Sequence, residues 1–361
     1  MKQHKRDIVC LLVGTLFAAC SDAQLDNLPS EELVQLNLLP PTIKATPLTR
    51  TMPIDGTTFP WEGRNHSTAV IGNNKYSLYN VSLSIYNHGT NNPHMNGYGN
   101  KKVILLSNYN TQTQSKSQRW TTNGSDTFVS AARLNANVDI YAYYPHVEGV
   151  FPIEEVPFTT DEQHDWMWAT PVNLDQVSES NRTVKLTFQH AMTCIEVRLC
   201  TKYYSTINLY SITLSDKTET LTAGGTMNIK TGELNYEKNK KSITIGSNNS
   251  TDLLPIHNEA NTAYLSYCFL MPEKEYSAGD LELSFKFDRS SESPYPTTPG
   301  RSSFKIPSYF QNQEGTGVAV SKLERGKKYV INLMVDNTML ISPLSFTVEP
   351  SWNNTNVDVI L

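Results

Sequence analysis

An all-β fold is predicted by three features of this 361-residue chain. Apolar and polar residues alternate in many short runs. Asn, Ser, Thr, Gly and Pro punctuate those runs, and neither heptads, long helical periodicity nor a tandem repeat is present. Alternation at period two is what one buried sheet face imposes on a strand, and short strands at such turn spacing suggest β-sandwiches.

The N-terminus reads as an export signal. Lys2, Lys5 and Arg6 form a positive n-region, followed by the 12-residue apolar run Ile8 to Ala19. That run is shorter than the roughly 20 residues a membrane-spanning helix needs. It ends in Ala18-Ala19 before Cys20, the setting in which a lipoprotein signal peptidase cleaves and the Cys carries the lipid, although Phe17 stands where Leu is usual. Residues 1–19 are therefore expected to be a lipoprotein signal peptide and Cys20 the lipidated N-terminus, a membrane anchor that needs no spanning helix.

Residues 20–50 follow as a polar tether (Ser21, Asp22, Asp26) and a short strand in which Val34, Leu36 and Leu38 share a face. Pro40, Pro41 and Pro47 lack the N–H that an interior strand needs, so this strand belongs at a sheet edge.

Further on, one-sided rows recur: Val138, Ile140, Ala142 and Tyr144; Val184, Leu186 and Phe188; Leu281, Leu283, Phe285 and Phe287; Tyr329, Ile331, Leu333 and Val335. Strands are expected over 183–189, 207–214, 226–236 (a hairpin turning at Thr231-Gly232), 262–271, 280–288 and 328–348. The inward set passes from even positions (Leu186, Phe188) to odd ones (Ile195, Val197, Leu199), which no intact strand permits. A bulge or break is expected around 190–193. Polar loops are expected near 87–101 and 110–118. The polar, strand-poor stretch 171–182 suggests a domain boundary, and a chain of this length suggests two domains. The division is then 51–180 as an N-terminal β-sandwich and 181–361 as a C-terminal one.

The formal charge of −5 argues against nucleic-acid binding, which wants a basic face. Cys194 and Cys200 would lie about 20 Å apart on one straight strand, at ~3.3 Å per residue, too far for a disulfide. With Cys268 they read as three free, buried thiols. There is no nucleophile elbow, phosphate-binding Gly-rich loop or His-Glu-x-x-His. The adjacent carboxylates Glu31-Glu32 and Glu154-Glu155 point to opposite strand faces and cannot flank a glycosidic bond. No catalytic residues, metal site or cofactor are assigned, and the chain does not read as an enzyme. Asp161, His164 and Asp165 beside Trp166 and Trp168 could form a metal or sugar site, against the plainer reading of a polar loop whose Trp residues cap a core edge. His190 reads as a hydrogen-bonded core histidine. Tyr141 and Tyr143 fall opposite Tyr144, as an interface or as packing beneath another layer.

Four landmarks together resemble the fimbrillin family, the lipoprotein-derived, protease-activated pilus subunits of Bacteroidetes-type bacteria. They are Cys20 with Thr49-Arg50, Phe59 and Thr68-Ala69-Val70-Ile71; Val138 to Pro145; Val184 to Ala191 continuing through Ile195 and Val197; and Leu323 to Tyr329 leading to Trp352. The resemblance implies two tandem transthyretin-like (Greek-key) β-sandwiches, delivery to the outer membrane as a lipoprotein, and removal of the first strand by an Arg-specific surface protease. By position the matching bond is Arg50–Thr51, with Arg64, Arg119 and Arg133 as alternatives. Losing an edge strand leaves unpaired backbone and an apolar groove, which a neighbouring subunit's strand can fill. The candidate donor is Leu340, Leu344, Phe346 and Val348, which share one parity, with Val357, Val359 and Leu361 as a second set. The implied partners are other pilus subunits, the protease, the outer membrane through the lipid, and a host or bacterial surface ligand. The competing readings are a surface lipoprotein that binds glycans on Trp61, Trp166 or Trp168, and a non-polymerising pilus anchor or tip adhesin.

Overall fold

A computed structural model describes residues 34–43, 68–71, 74–94, 98–110, 115–121, 133–134, 137–149, 151–161, 163–175, 183–202, 207–246, 252–254, 256, 264–289, 300–312, 314–336 and 338–349. Among these residues there are strands and turns and no helix. In chain order the strands are β1 (Val34–Gln35), β2 (Asn37–Ile43), β3 (Thr68–Ile71), β4 (Asn74–Asn87), β5 (Lys101–Asn110), β6 (Ser115–Thr121), β7 (Arg133–Leu134), β8 (Val138–Tyr144) and β9 (Val156–Thr159). Then come β10 (Met167–Ala169), β11 (Val172–Leu174), β12 (Thr183–His190), β13 (Thr193–Thr201), β14 (Ile207–Asp216), β15 (Leu221–Met227), β16 (Leu234–Lys240), β17 (Ser242–Gly246) and β18 (Asp252–Leu253). The last are β19 (Leu265–Met271), β20 (Lys274–Glu275), β21 (Leu281–Arg289), β22 (Gly300–Lys305), β23 (Tyr309–Gln311), β24 (Gly317–Ala319), β25 (Lys322–Leu323), β26 (Lys328–Val335) and β27 (Ile341–Glu349).

Four sheets carry the fold. A nine-stranded sheet runs β2-β12-β10-β8-β4-β5-β6, with β11 on β8 and β3 on β4. A six-stranded sheet runs β19-β13-β26-β27-β23-β24, a five-stranded one β17-β14-β21-β22 with β18 on β14, and a three-stranded one β16-β15-β9. The alternating rows read from the sequence explain the layers. Val138, Ile140, Ala142 and Tyr144 bury one face of β8 in an N-terminal core with Leu36, Leu38, Val184, Leu186 and Phe188. Leu281, Leu283, Phe285 and Phe287 meet Tyr329, Ile331, Leu333 and Val335 in a C-terminal core between the six- and five-stranded sheets.

The chain breaks at Ala191-Met192, where the parity changes. The consequence reaches further than a bulge: β12 belongs to the nine-stranded sheet and β13 to the six-stranded one. The expected boundary at 180/181 therefore needs correction, because 183–190 is hydrogen-bonded into the N-terminal sheet. Within the polar stretch before it, Val172–Leu174 is itself a strand, β11, paired with β8 of the same sheet. The halves are also laced together. β9 pairs with β15, and a third apolar cluster joins Tyr141, Tyr143, Phe158 and Trp166 to Met192, Cys194, Met227 and Leu270. Tyr141 and Tyr143 are thus packing beneath another layer.

One loop and one strand expectation need similar revision. Residues 115–118 are strand, paired with β5. The segment 328–348 is two strands, separated by a turn in which Asp336 Oδ1 accepts from the Thr338 and Leu340 amides. The 231–232 hairpin turn is present between β15 and β16, with Gly232 at φ 71° and packed under the Trp168 indole, where a Cβ would overlap the ring. Cys194, Cys200 and Cys268 are free and buried. Burial pushes the Cys194 thiol well up, and carries Cys200 up to about 11.

Candidate functional site

The first strand is built as its prolines demand. β2 lies at the end of the nine-stranded sheet, parallel to β12, with Asn37, Leu38 and Leu39 opposite Thr183, Val184 and Lys185. The ladder then slips: Thr42 faces Thr187, so that Pro40-Pro41 stand against Leu186 alone. Neither proline can donate a ladder hydrogen bond, and a bulge at a sheet edge is where that omission costs least. Leu36 is wholly buried and Leu38 nearly so. Trp120 at the far end of the same sheet donates from its indole to the Leu39 carbonyl, 3.0 Å. The sheet therefore curls until β2, at one end, meets β6, at the other. Lifting β2 away would bare Val184, Leu186 and Phe188 and one backbone edge of β12. Just ahead of it, β1 pairs with β7, Val34 opposite Leu134 and Gln35 opposite Arg133.

The closing strand differs from its expected form. β27 runs antiparallel to β26, but the register jumps between Asn332–Ser345 and Leu333–Pro343, leaving Leu344 as an extra residue. That bulge destroys the shared parity. Val348 is buried and Phe346 packs on the core, whereas Leu340 is 61% exposed and Leu344 38%. Phe346 stacks on Phe304 with centroids 5.7 Å apart and meets Phe310 edge-on at 6.1 Å. On its other side β27 meets β23 at a single pair, Gln311 and Thr347. Pro343 thus stands where a missing donor is tolerated.

A buried charge cluster fastens the end of β27. Glu196, fully buried on β13, accepts from Arg198 at 2.7 and 3.0 Å. Lys328 lies 3.3 Å from Glu196 and 2.8 Å from Glu349. Burial alone would raise the Glu196 carboxyl, but Lys328 and Arg198 outweigh it and hold it below the ordinary range.

The aromatic and acidic group at 161–168 is dispersed. Trp166 is buried and donates to the Thr159 carbonyl, 2.9 Å. Trp168 is half-buried. Asp165 is inside the protein, 3.0 Å from His190 Nδ1 through both oxygens. Burial pushes that carboxyl up, against the pull of His190 and His164. Asp161 instead pairs with Lys240. No three His, Cys, Asp or Glu groups converge on a metal-sized space among the described residues. Sequence reasoning had His190 as a hydrogen-bonded core residue but not its partner 25 positions away. Cys20, Arg50, Thr51, Trp61, Arg64, Val357, Val359 and Leu361 lie outside the described residues, while Arg119 and Arg133 fall within β6 and β7.

Comparison with known proteins adds the family. Residues 80–352 match the family described as fimbrillin-like. Among solved structures, a candidate cell adhesion protein of Bacteroides uniformis is 15% identical, with a TM-score of 0.44 over 76% of this chain and 91% of that one. A Bacteroides fragilis protein described in the same terms is 9% identical, with a TM-score of 0.42 over 89% and 99%. The tip fimbrial protein Mfa3 of Porphyromonas gingivalis is 8% identical, with a TM-score of 0.38 over 76% and 94%. No curated protein matches in sequence.

Proposed function

The chain belongs to the fimbrillin-like family, and we propose that it is a structural subunit of a cell-surface pilus, exported as a lipoprotein through Cys20 and assembled by strand exchange after proteolysis. The observation that carries this reading is the state of the first strand. It is an edge strand, interrupted by Pro40-Pro41, whose Leu36 and Leu38 fill the N-terminal core. A cut at Arg50–Thr51 would separate that strand from everything after it. The lipid on Cys20 would leave with the strand, so one cleavage would both free the subunit from the membrane and open its groove.

The vacated site suits a strand from another copy. It would present the β12 edge for backbone pairing and an apolar trough for alternate side chains. Burying two leucines is worth roughly 1.5–3 kcal/mol each, and association costs reduce what an incoming strand gains. The C-terminal segment including Leu340, Leu344, Phe346 and Val348 is the donor in this reading. It must first leave its place on β26, so donation requires opening of the C-terminal core around Phe346. The partners are other pilus subunits, an Arg-specific surface protease, and the outer membrane before processing.

The test is to treat purified non-lipidated precursor with an Arg-specific protease, sequence the new N-terminus and look for SDS-resistant ladders. A single cut after Arg50 followed by ladders is expected, and Arg50→Ala should remain monomeric. Ladders from Arg50→Ala, or a cut product that stays monomeric, would defeat the exchange reading.

A further inference from the structure

We propose that Trp120 is the latch on the first strand: its indole N–H holds the Leu39 main chain from the far end of the nine-stranded sheet, and breaking that bond sets the rate at which the cut strand leaves. The inference deepens the strand-exchange reading, and its kinetic half rests on that reading. Trp120 lies on β6, opposite Leu105 of β5. Leu39 lies on β2, opposite Lys185 of β12. These strands are the two ends of the sheet's order, and a side chain joins them: the indole donates to the Leu39 carbonyl at 3.0 Å.

The ring is buried, in the same core as Leu36, Leu38, Val184 and Phe188. An indole has one donor and no acceptor, and a buried indole N–H needs a partner. Trp120 takes that partner from the segment that cleavage at Arg50 would release. The residue therefore has two relations to the first strand. Its ring walls the trough that Leu36 and Leu38 fill, and its N–H grips the backbone that carries them. Among aromatic side chains, tryptophan alone supplies both a large apolar face and an N–H at its rim.

The bond falls where the β12 ladder lapses. Leu39 is the last regular partner of β12 before the slip; the next pair is Thr42 with Thr187, and Pro40-Pro41 between them have no N–H to donate. A proline also confines the residue before it to extended backbone. Pro40 thereby fixes the direction of the Leu39 carbonyl, the group that the indole bonds. The prolines weaken the β12 side of the strand while preparing its β6 side. At the start of the segment, β1 adds the two pairs of Val34 with Leu134 and Gln35 with Arg133, a ladder too short to hold the strand alone.

Because the acceptor is a main-chain carbonyl, the latch reads no side chain. Every residue, proline included, carries that group. A strand from another copy that lies along β12 and fills the Leu36 and Leu38 positions can present a carbonyl to the same indole. Sequence preference then stays with the apolar positions, and Trp120 acts on whichever strand occupies the groove. Between occupants its N–H has lost the Leu39 carbonyl, so the environment of this one indole follows the state of the groove.

The experiment is hydrogen exchange on the full, non-lipidated chain, before and after cleavage. Trp120→Phe keeps an aromatic ring and removes the N–H. In the uncleaved variant the amides of 36–39 should exchange roughly 2–10-fold faster, the range for one hydrogen bond, while those of β26 stay unchanged. After cleavage the variant should release the cut segment faster by the same factor, as followed by gel filtration. The unaltered chain gives a readout that packing alone would not move. Its Trp120 indole proton should exchange slowly in the precursor, lose that protection once the segment is removed, and regain it when a synthetic peptide of residues 34–43 is added. Unaltered exchange at 36–39 in Trp120→Phe, or an indole proton still protected after the segment has gone, would overturn the latch. Faster amide exchange with an unchanged release rate would overturn its kinetic role. If the cut segment stays bound in both proteins, the strand-exchange reading fails, and amide exchange in the uncleaved chain still decides the latch.

Discussion

Truncating Leu36 to alanine isolates what the first strand contributes. The side chain is wholly buried within the N-terminal core beside Val184, Leu186 and Phe188. Leu→Ala at such a site costs 2–5 kcal/mol, and about 3 kcal/mol is a reasonable centre where neighbours cannot collapse into the space. For a cooperative unit of 150–250 residues each kcal/mol lowers the melting midpoint by about 2–4 °C, so Leu36→Ala should lower it by about 6–12 °C. The assay is thermal unfolding of the precursor, followed by the same measurement after cleavage at Arg50 and removal of the released segment. The two precursors should differ by that amount, whereas the trimmed proteins, now identical in sequence, should coincide. A precursor shift below about 1 °C would refute the packing argument. A difference that survives trimming would show that the strand had not left.

Two further substitutions probe the other end. Phe346→Ala removes a half-buried ring stacked on Phe304 and edge-on to Phe310, so urea unfolding should show a loss of about 2 kcal/mol, below the 3–5 kcal/mol of a fully buried Phe; no loss would mean that the ring is free for donation as it stands. Glu196→Gln should cost about 3 kcal/mol at neutral pH by leaving Arg198 and Lys328 without their buried partner. The Glu196 carboxyl is held below its unfolded value of about 4.3. Its stabilisation is therefore present above that pH and lost as pH falls through the folded value, so Glu196→Gln should flatten the acid limb of the stability curve. An unchanged acid limb would show that other carboxylates govern it.

Much of the layer structure was legible because period two is a local property. Val138 to Tyr144 alternates, and the structure buries its two sides in two different clusters. Leu281 to Phe287 reads the same way. The parity change after Phe188 signalled a break. It did not say that the chain crosses to a different sheet there, because sheet membership is set by partners far away, β2 and β10 for β12 but β19 and β26 for β13. Ser115 to Gln118 has loop composition, yet pairing with β5 makes it strand. Leu344 was assigned to the face of Phe346, but a bulge that depends on β26 moves it outward. The Asp165–His190 pair left no trace in spacing at all. The proposed cleavage and lipidation sites rest on motif and resemblance alone, and Cys20 and Arg50 lie outside the described residues.

On the proposed mechanism the first strand must be held firmly until it is cut, yet be replaceable afterwards, and its prolines speak to both needs. Retention rests on Leu36 and Leu38, whose burial is non-directional and available to any strand of the same alternation. The ladder is the weak part, because Pro40 and Pro41 carry no N–H and the register slips opposite Leu186. A replacing strand without paired prolines would regain one or two ladder bonds, about 0.5–1.5 kcal/mol each. On the proposed mechanism, that difference helps to drive exchange toward the polymer. Replacing Pro41 by threonine should then leave cleavage after Arg50 unchanged while slowing loss of the cut strand and the appearance of ladders, by roughly 2–10-fold for one regained bond. Release of the cut segment can be followed on a gel-filtration column. If release and laddering keep their original rates while Pro41→Thr raises the precursor's stability, the ladder is not what limits exchange, and the apolar trough alone governs it.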